Sequence, residues 1–146
     1  DYIFITGRVD DVINVAGHRL STAEMEEIVA SHPAVAECAV IGVNDELRGQ
    51  IPLAMVVMKT GNDTEHFQLE YEIVHLIRNQ IGAVACLRNV LIVQRLPKTR
   101  SGKILRKLLR NIVDKIEFQI PSTIDDELII DEIIEVVEKY AVTTQK

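Results

Sequence analysis

Two apolar runs constrain this chain more than any other feature. AVAECAVIGV (34–43) and IPLAMVVM (51–58) are joined by the polar connection NDELRGQ, which contains a Gly. Each run is short and nearly free of polar side chains, the pattern of a strand buried on most of its surface. Pro52 stands near the start of the second run, where a residue without an N–H is tolerated. Strands of this kind need cover, and the flanking segments supply it at helical spacing. Met25, Ile28 and Val29 form the stripe of a helix capped at Ser21 or Thr22. Glu24 completes a capping box with Ser21, and His32-Pro33 stops the helix. Residues 65–81 place Phe67, Leu69, Ile73, Leu76, Ile77 and Ile81 on one side, with Gly82 as the C-cap.

NVLIV (89–93) is a third strand, whereas AVACL before it is ambiguous. A further helix is expected to start near Lys103 or Ile104, with Ile104, Leu105, Leu108, Leu109 and Ile112 on its apolar face. Ser122, Thr123 or Asp125 then caps a helix over 126–140, turning Leu128, Ile129, Ile133, Val136, Val137 and Tyr140 inward. Residues 1–20 read as a hairpin-like unit rich in polar side chains. The expectation is a small α/β (α+β) domain: an N-terminal hairpin and a three-stranded sheet backed by helices.

Composition closes several functional classes. A net charge of −6 argues against a dedicated nucleic-acid binder, because phosphate backbones select for basic surfaces. No apolar run reaches the roughly 18 residues of a membrane span, and no secretory signal is present. Cys38 and Cys86 sit in aliphatic runs with no metal-type spacing, as buried free thiols of a reducing compartment would. His18, His32, His66 and His75 likewise lack ligand spacing, and the phosphate-loop, nucleophile-elbow and zinc-protease motifs are missing. The chain opens on DYIFITG without an initiator Met, which suggests an excised piece of a longer protein.

Two polar clusters remain. GRVDDVINVAGHR (7–19) is either an ordinary hairpin with Arg8 paired to a carboxylate or a junction carrying charge to a partner surface. PKTRSGK (97–103) lies within LPKTRSGKILRKLLR, which holds six basic side chains. Ser101-Gly102 lets the backbone turn, and Lys103 near a helix start suits a phosphate or carboxylate. A solvated basic turn fits the same residues. Arg106, Lys107 and Arg110 read as the polar, solvent-facing side of the helix that follows.

In order and separation, GRVDDVINVAGHRLSTAEMEE and LPKTRSGKILRKLLR resemble the two late signature motifs of the adenylate-forming superfamily. That superfamily contains acyl-CoA synthetases, peptide synthetase adenylation domains and luciferases. VINVAGHRLST, RNQIG, PKTRSGKILR and FQIPSTIDDE are most similar to the short-chain branch, acetyl-CoA and propionyl-CoA synthetases. Where bacterial-type acetyl-CoA synthetases resemble RKEIGPLATP, this chain reads RNQIGAVACL without the two prolines.

The resemblance implies that residues 1–146 are the C-terminal domain that rotates against a large N-terminal domain not contained in this chain. It implies a hinge and hairpin over 1–20, an α/β core over 21–115, and a linker with a C-terminal helix over 116–146. Asp10 would be the hinge and Arg8 part of the crossover. Lys103 would be the adenylation lysine, while Gly17, with His18 beside it, would line the pantetheine tunnel after rotation. Arg19 would support the thioester-forming pose and Arg78 would meet the CoA nucleotide phosphate. ATP and CoA are the implied cofactors, with Mg2+ held through the large domain. The implied partners are that domain and a small carboxylate, and the implied setting is the cytoplasm or the mitochondrial matrix. An adenylation domain loading a carrier-protein thiol and a stand-alone anion-binding module are the competing readings.

Overall fold

A computed structural model describes residues 12–61, 65–85 and 87–144. The two apolar runs become its longest strands. With β1 at Val12–Val15 and β2 at His18–Ser21, they are β3, Val35–Asp45, and β4, Gly49–Met58. β3 and β4 pair antiparallel from Val35↔Met58 to Asp45↔Gly49, with a bulge between Val35 and Glu37. Asp45 closes the connection by accepting the Arg48 N–H at 2.9 Å.

The hairpin does not stand apart from this pair. β1 pairs antiparallel with β2 and, at Val15↔Gly49, with β4, and Ala16 N donates to Arg48 O at 2.9 Å. β5, Val90–Ile92, pairs in parallel with Ala54–Val56 of β4. The result is one five-stranded sheet running β2-β1-β4-β3, with β5 on β4 beyond the reach of β1. The three expected strands and the hairpin thus form a single surface. Pro52 falls on β4 between the stretch paired to β1 and the stretch paired to β5, where among the described residues no neighbouring strand needs its missing N–H.

Helices cover both faces. The helices are α1 at Thr22–Ala30, α2 at His66–Gln80, α3 at Arg106–Val113 and α4 at Leu128–Thr144. Alternation along the strands sorts the core in two. Cys38, Val40, Ala54 and Val56 meet Met25, Val29, Leu69, Ile73 and Ile77 on one face. Ala39, Ile41, Leu53 and Met55 meet Leu108, Leu109, Ile112, Ile129 and Ile133 on the other. A strand buried on both faces is what an unbroken apolar run requires.

Local details follow the sequence with instructive exceptions. Ser21 caps α1, its Oγ accepting the Glu24 N–H at 3.1 Å. His32 is buried, and its Nδ1 accepts the Ala34 N–H at 3.0 Å. Its Nε2 therefore carries the proton that reaches Glu72 Oε1 at 2.6 Å, tying the end of α1 to α2. Hydrogen bonds from Gln68 and then from His32 lower the Glu72 pKa. AVA at 83–85 is a 3-10 turn. Phe67 and Leu128, expected inward, are 76% and 69% exposed. Asp126, not Ser122, Thr123 or Asp125, caps α4, its Oδ1 accepting the Leu128 N–H at 2.9 Å.

Candidate functional site

The basic loop folds back on itself before α3 begins. Lys98 and Ile104 form an antiparallel bridge, and Leu105 N donates to Pro97 O at 2.9 Å. Thr99 is the centre of the turn. Its N–H donates to Lys103 O and its carbonyl accepts Gly102 N, both at 2.9 Å, while its Oγ1 accepts Lys103 N at 3.1 Å. Gly102 adopts φ +93, a conformation that favours glycine. These bonds hold residues 103–105 out of the helix, so α3 starts at Arg106 and not at Lys103 or Ile104. Lys103 is therefore a loop residue whose own N–H is already used.

The six basic side chains divide sharply. Lys98 Nζ lies 2.6 Å from Glu37 Oε2 on β3. Arg106 forks onto Glu26 of α1, Nε to Oε2 at 2.7 Å and Nη2 to Oε1 at 2.6 Å. Glu26 Oε2 also accepts the Val40 N–H at 2.9 Å, covering part of the free edge of β3. Arg106 is thus a bidentate anchor, which corrects its reading as a solvent-facing charge. Lys103 is exposed, and among the described residues no carboxylate pairs with its ammonium. It borders an open groove of about 690 Å³ together with Leu108, Asn111, Ile116, Phe118 and Pro121. The arrangement presents Lys103, on a braced loop and with exposed Lys107 lining the same groove, to whatever anion comes against that face.

The other expected residues lie elsewhere. Arg8 and Asp10 fall outside the described residues. Ala16 and Gly17, at φ +51 and +88, make the two-residue turn between β1 and β2, both central residues left-handed as that turn type demands. A Cβ built on Gly17 meets nothing within 4 Å, so no neighbour among the described residues demands the glycine. His18 and Arg19 follow, both exposed, on β2. Arg78, exposed at the end of α2, flanks a groove of about 240 Å³ with Gly82, Ala83 and Arg88. The structure therefore does not gather Lys103, Gly17 and Arg78 into one pocket. Glu26, Glu37, Thr99 and Arg88 are the neighbours that sequence reading missed. The available signal was a lone carboxylate, Glu37, inside an apolar strand run.

Beside this loop, Cys38 is buried and free, with Sγ donating to Glu26 O at 3.4 Å. Burial, and then the Glu26 charge, push its thiol up to about 11, so it is no nucleophile near neutrality. Among the described residues no group of three or more His, Cys, Asp or Glu could hold a metal ion, and no helix is long and apolar enough to cross a membrane.

The family model described as AMP-binding enzyme C-terminal domain matches residues 24–103, from the first turn of α1 to Lys103 itself. The chain belongs to the AMP-binding enzyme C-terminal domain family. Its relatives agree with that placement. An uncharacterized protein of Pseudomonas aeruginosa is 61% identical over 90% of this chain and 21% of its own length. A mitochondrial acyl-CoA synthetase short-chain family member B of Dictyostelium discoideum is 51% identical over 95% of this chain and 20% of its own. The crystal structure of a Brucella canis acyl-CoA synthetase superposes with TM-score 0.65 at 41% identity, over 72% of this chain and 19% of that one. This AMP-binding C-terminal domain spans about a fifth of the length of these relatives.

Proposed function

We propose that this chain is the rotating C-terminal part of an AMP-forming short-chain acyl-CoA ligase that acts on acetate or propionate. The observation that carries the reading is Lys103, a cation with no carboxylate partner among the described residues, on a braced loop in a domain of the AMP-binding family. In the first half-reaction a carboxylate oxygen attacks the α-phosphorus of ATP and pyrophosphate leaves. Charge accumulates on the α-phosphate oxygens, and a preorganised ammonium stabilises it most where water is excluded. Lys103 supplies that ammonium. In the second half-reaction the CoA sulfur attacks the acyl carbonyl and AMP leaves. That step needs a channel for the thiol, and the Gly17 turn, with His18 and Arg19, lines it after rotation about Asp10 and the Arg8 crossover. Arg78 receives the nucleotide phosphate of CoA. The large domain provides the remaining ATP and acyl contacts and the Mg2+ ligands, so the chain by itself completes neither half-reaction. The short-chain name of the Dictyostelium relative supports the substrate class, and its mitochondrial name fits an intracellular setting, cytoplasm or mitochondrial matrix.

The test is Lys103→Ala in the full-length enzyme. Acyl-adenylate formation, read as ATP–pyrophosphate exchange, is expected to fall by about 100-fold or more, as for loss of one preorganised donor. Thioester formation from supplied acyl-adenylate and CoA is expected to change far less. Equal loss in both half-reactions removes Lys103 from its assigned role. Transfer to a carrier-protein thiol in preference to CoA would make the protein a carrier-loading adenylation enzyme instead.

A further inference from the structure

The Thr99 bonds close the Lys103 loop on itself, and backbone bonds from Arg100 N to Thr123 O at 2.9 Å and from Asp125 N to Lys98 O at 2.8 Å tie it to the segment before α4. Between Thr99 and Lys103 the loop exposes Arg100, Ser101 and Gly102, so it has no apolar side chain with which to anchor itself. On the side of α1 and β3, its two ends are gripped by carboxylates of the domain body. Before the turn, Lys98 meets Glu37 at 2.6 Å; after it, Arg106 meets both oxygens of Glu26. Glu26 is in turn held by the Val40 N–H. Glu37 Oε1 is buried without a hydrogen-bond partner among the described residues, so the ammonium of Lys98 on Oε2 carries that carboxylate's pairing. Glu37 is itself part-exposed and Oε1 is its buried atom; an oxygen buried without a partner costs stability, and an apolar residue in an apolar strand run would avoid that cost. The placement of Glu37 makes sense as a device that sets where the loop sits.

We infer that Glu26 and Glu37 are positioning residues for Lys103, clamping the two ends of its loop against α1 and the free edge of β3 so that the ammonium meets the adenylating phosphate in one place. This rests on the reading of Lys103 given above. Rate depends on placement at the scale of about 1 Å, and a loop released at either end loses that placement while the fold survives.

The experiment compares four variants of the full-length enzyme: Lys103→Ala, Glu26→Gln, Glu37→Gln and the exchange Glu37→Lys with Lys98→Glu, which leaves the Val40 acceptor on Glu26 in place. Each is measured by ATP–pyrophosphate exchange, by thioester formation from supplied acyl-adenylate, and by thermal midpoint. Glu26→Gln and Glu37→Gln are expected to slow exchange by roughly 10-fold and to leave thioester formation within about twofold. The charge exchange is expected to regain most of what Glu37→Gln loses. A role in stability alone would lower both half-reactions together, in step with the midpoint, and that outcome overturns the inference. If Glu26→Gln does not fold, Lys98→Met releases the other end from the loop side and is read in the same way. If Lys103→Ala abolishes exchange while Glu26→Gln and Glu37→Gln leave it intact, the positioning role falls and the lysine's role stands. If Lys103→Ala leaves exchange intact, both fall.

Discussion

A methyl group on Gly42 would stand 2.2 Å from Ile13 Cγ2 and 3.1 Å from Ile13 Cβ. The side chain of β1 fills the space that a β3 side chain would otherwise occupy, and Ile13 is only 1% exposed. Because Ile13 is branched at the crowded atom, it has no long flexible end to swing away. Gly42→Ala is therefore expected to destabilise the 146-residue chain by about 1–3 kcal/mol, measured as a lower urea midpoint. An unchanged midpoint would mean that β1 shifts without cost. The sequence showed Gly42 only as one small residue in an apolar run. Its need is set by Ile13, which approaches from a different strand, and no local pattern records that approach.

At the scale of elements, the docking of α4 depends on a charged fork. Arg95 donates Nη1 to Asp126 Oδ2 at 2.7 Å, and its Nε and Nη2 reach Glu132 at 3.2 and 2.7 Å. Asp126 serves twice, since it also caps the helix through the Leu128 N–H. Arg95 first, and that N–H second, lower the Asp126 pKa below its ordinary 3.8. A carboxylate with a depressed folded pKa binds fewer protons folded than unfolded. Its stabilisation is complete above the unfolded value and is lost as pH falls through the folded one. Asp126→Asn keeps a capping oxygen but cannot titrate. The thermal midpoint of the parent chain is expected to drop as pH falls below about 3.8, and part of that drop should be missing in Asp126→Asn. Parallel acid limbs would exclude Asp126 as a contributor. The strands and helices themselves were legible because burial on both sheet faces leaves apolar runs, and burial of one helix face leaves a stripe. Helix ends were less so. Phe67 and Leu128 share the apolar character of their helices but stand at the first turns, where periodicity gives a face and not the limit of the neighbouring layer. The start of α3 was placed too early because the Lys98–Ile104 bridge, a tertiary contact, keeps that segment extended.

For the whole molecule, the distribution of the proposed site residues is itself informative. Lys103 was legible from a motif, whereas its braces were not, since Glu37 and Glu26 are 61 and 80 residues from Lys98 and Arg106. The braces hold the Lys103 loop against the Glu37–Val40 part of β3. The Ala16–Gly17 turn lies beside Arg48 and Gly49, at the opposite end of that strand. At about 3.4 Å per residue the two are separated by on the order of 20 Å along the sheet. A single reacting centre cannot touch both unless the domain moves between steps, which is the geometric demand that a rotating domain meets. It follows that substitutions at the two ends should affect different half-reactions. Gly17→Asn is the informative change, because asparagine tolerates a left-handed backbone while adding bulk where this chain leaves open space. In the full-length enzyme it is expected to slow thioester formation from supplied acyl-adenylate by roughly 10-fold or more and to leave ATP–pyrophosphate exchange within about twofold, the inverse of Lys103→Ala. If exchange fell as far as thioester formation, Gly17 would serve only the hairpin turn, and the channel would have to be sought on another surface of the domain.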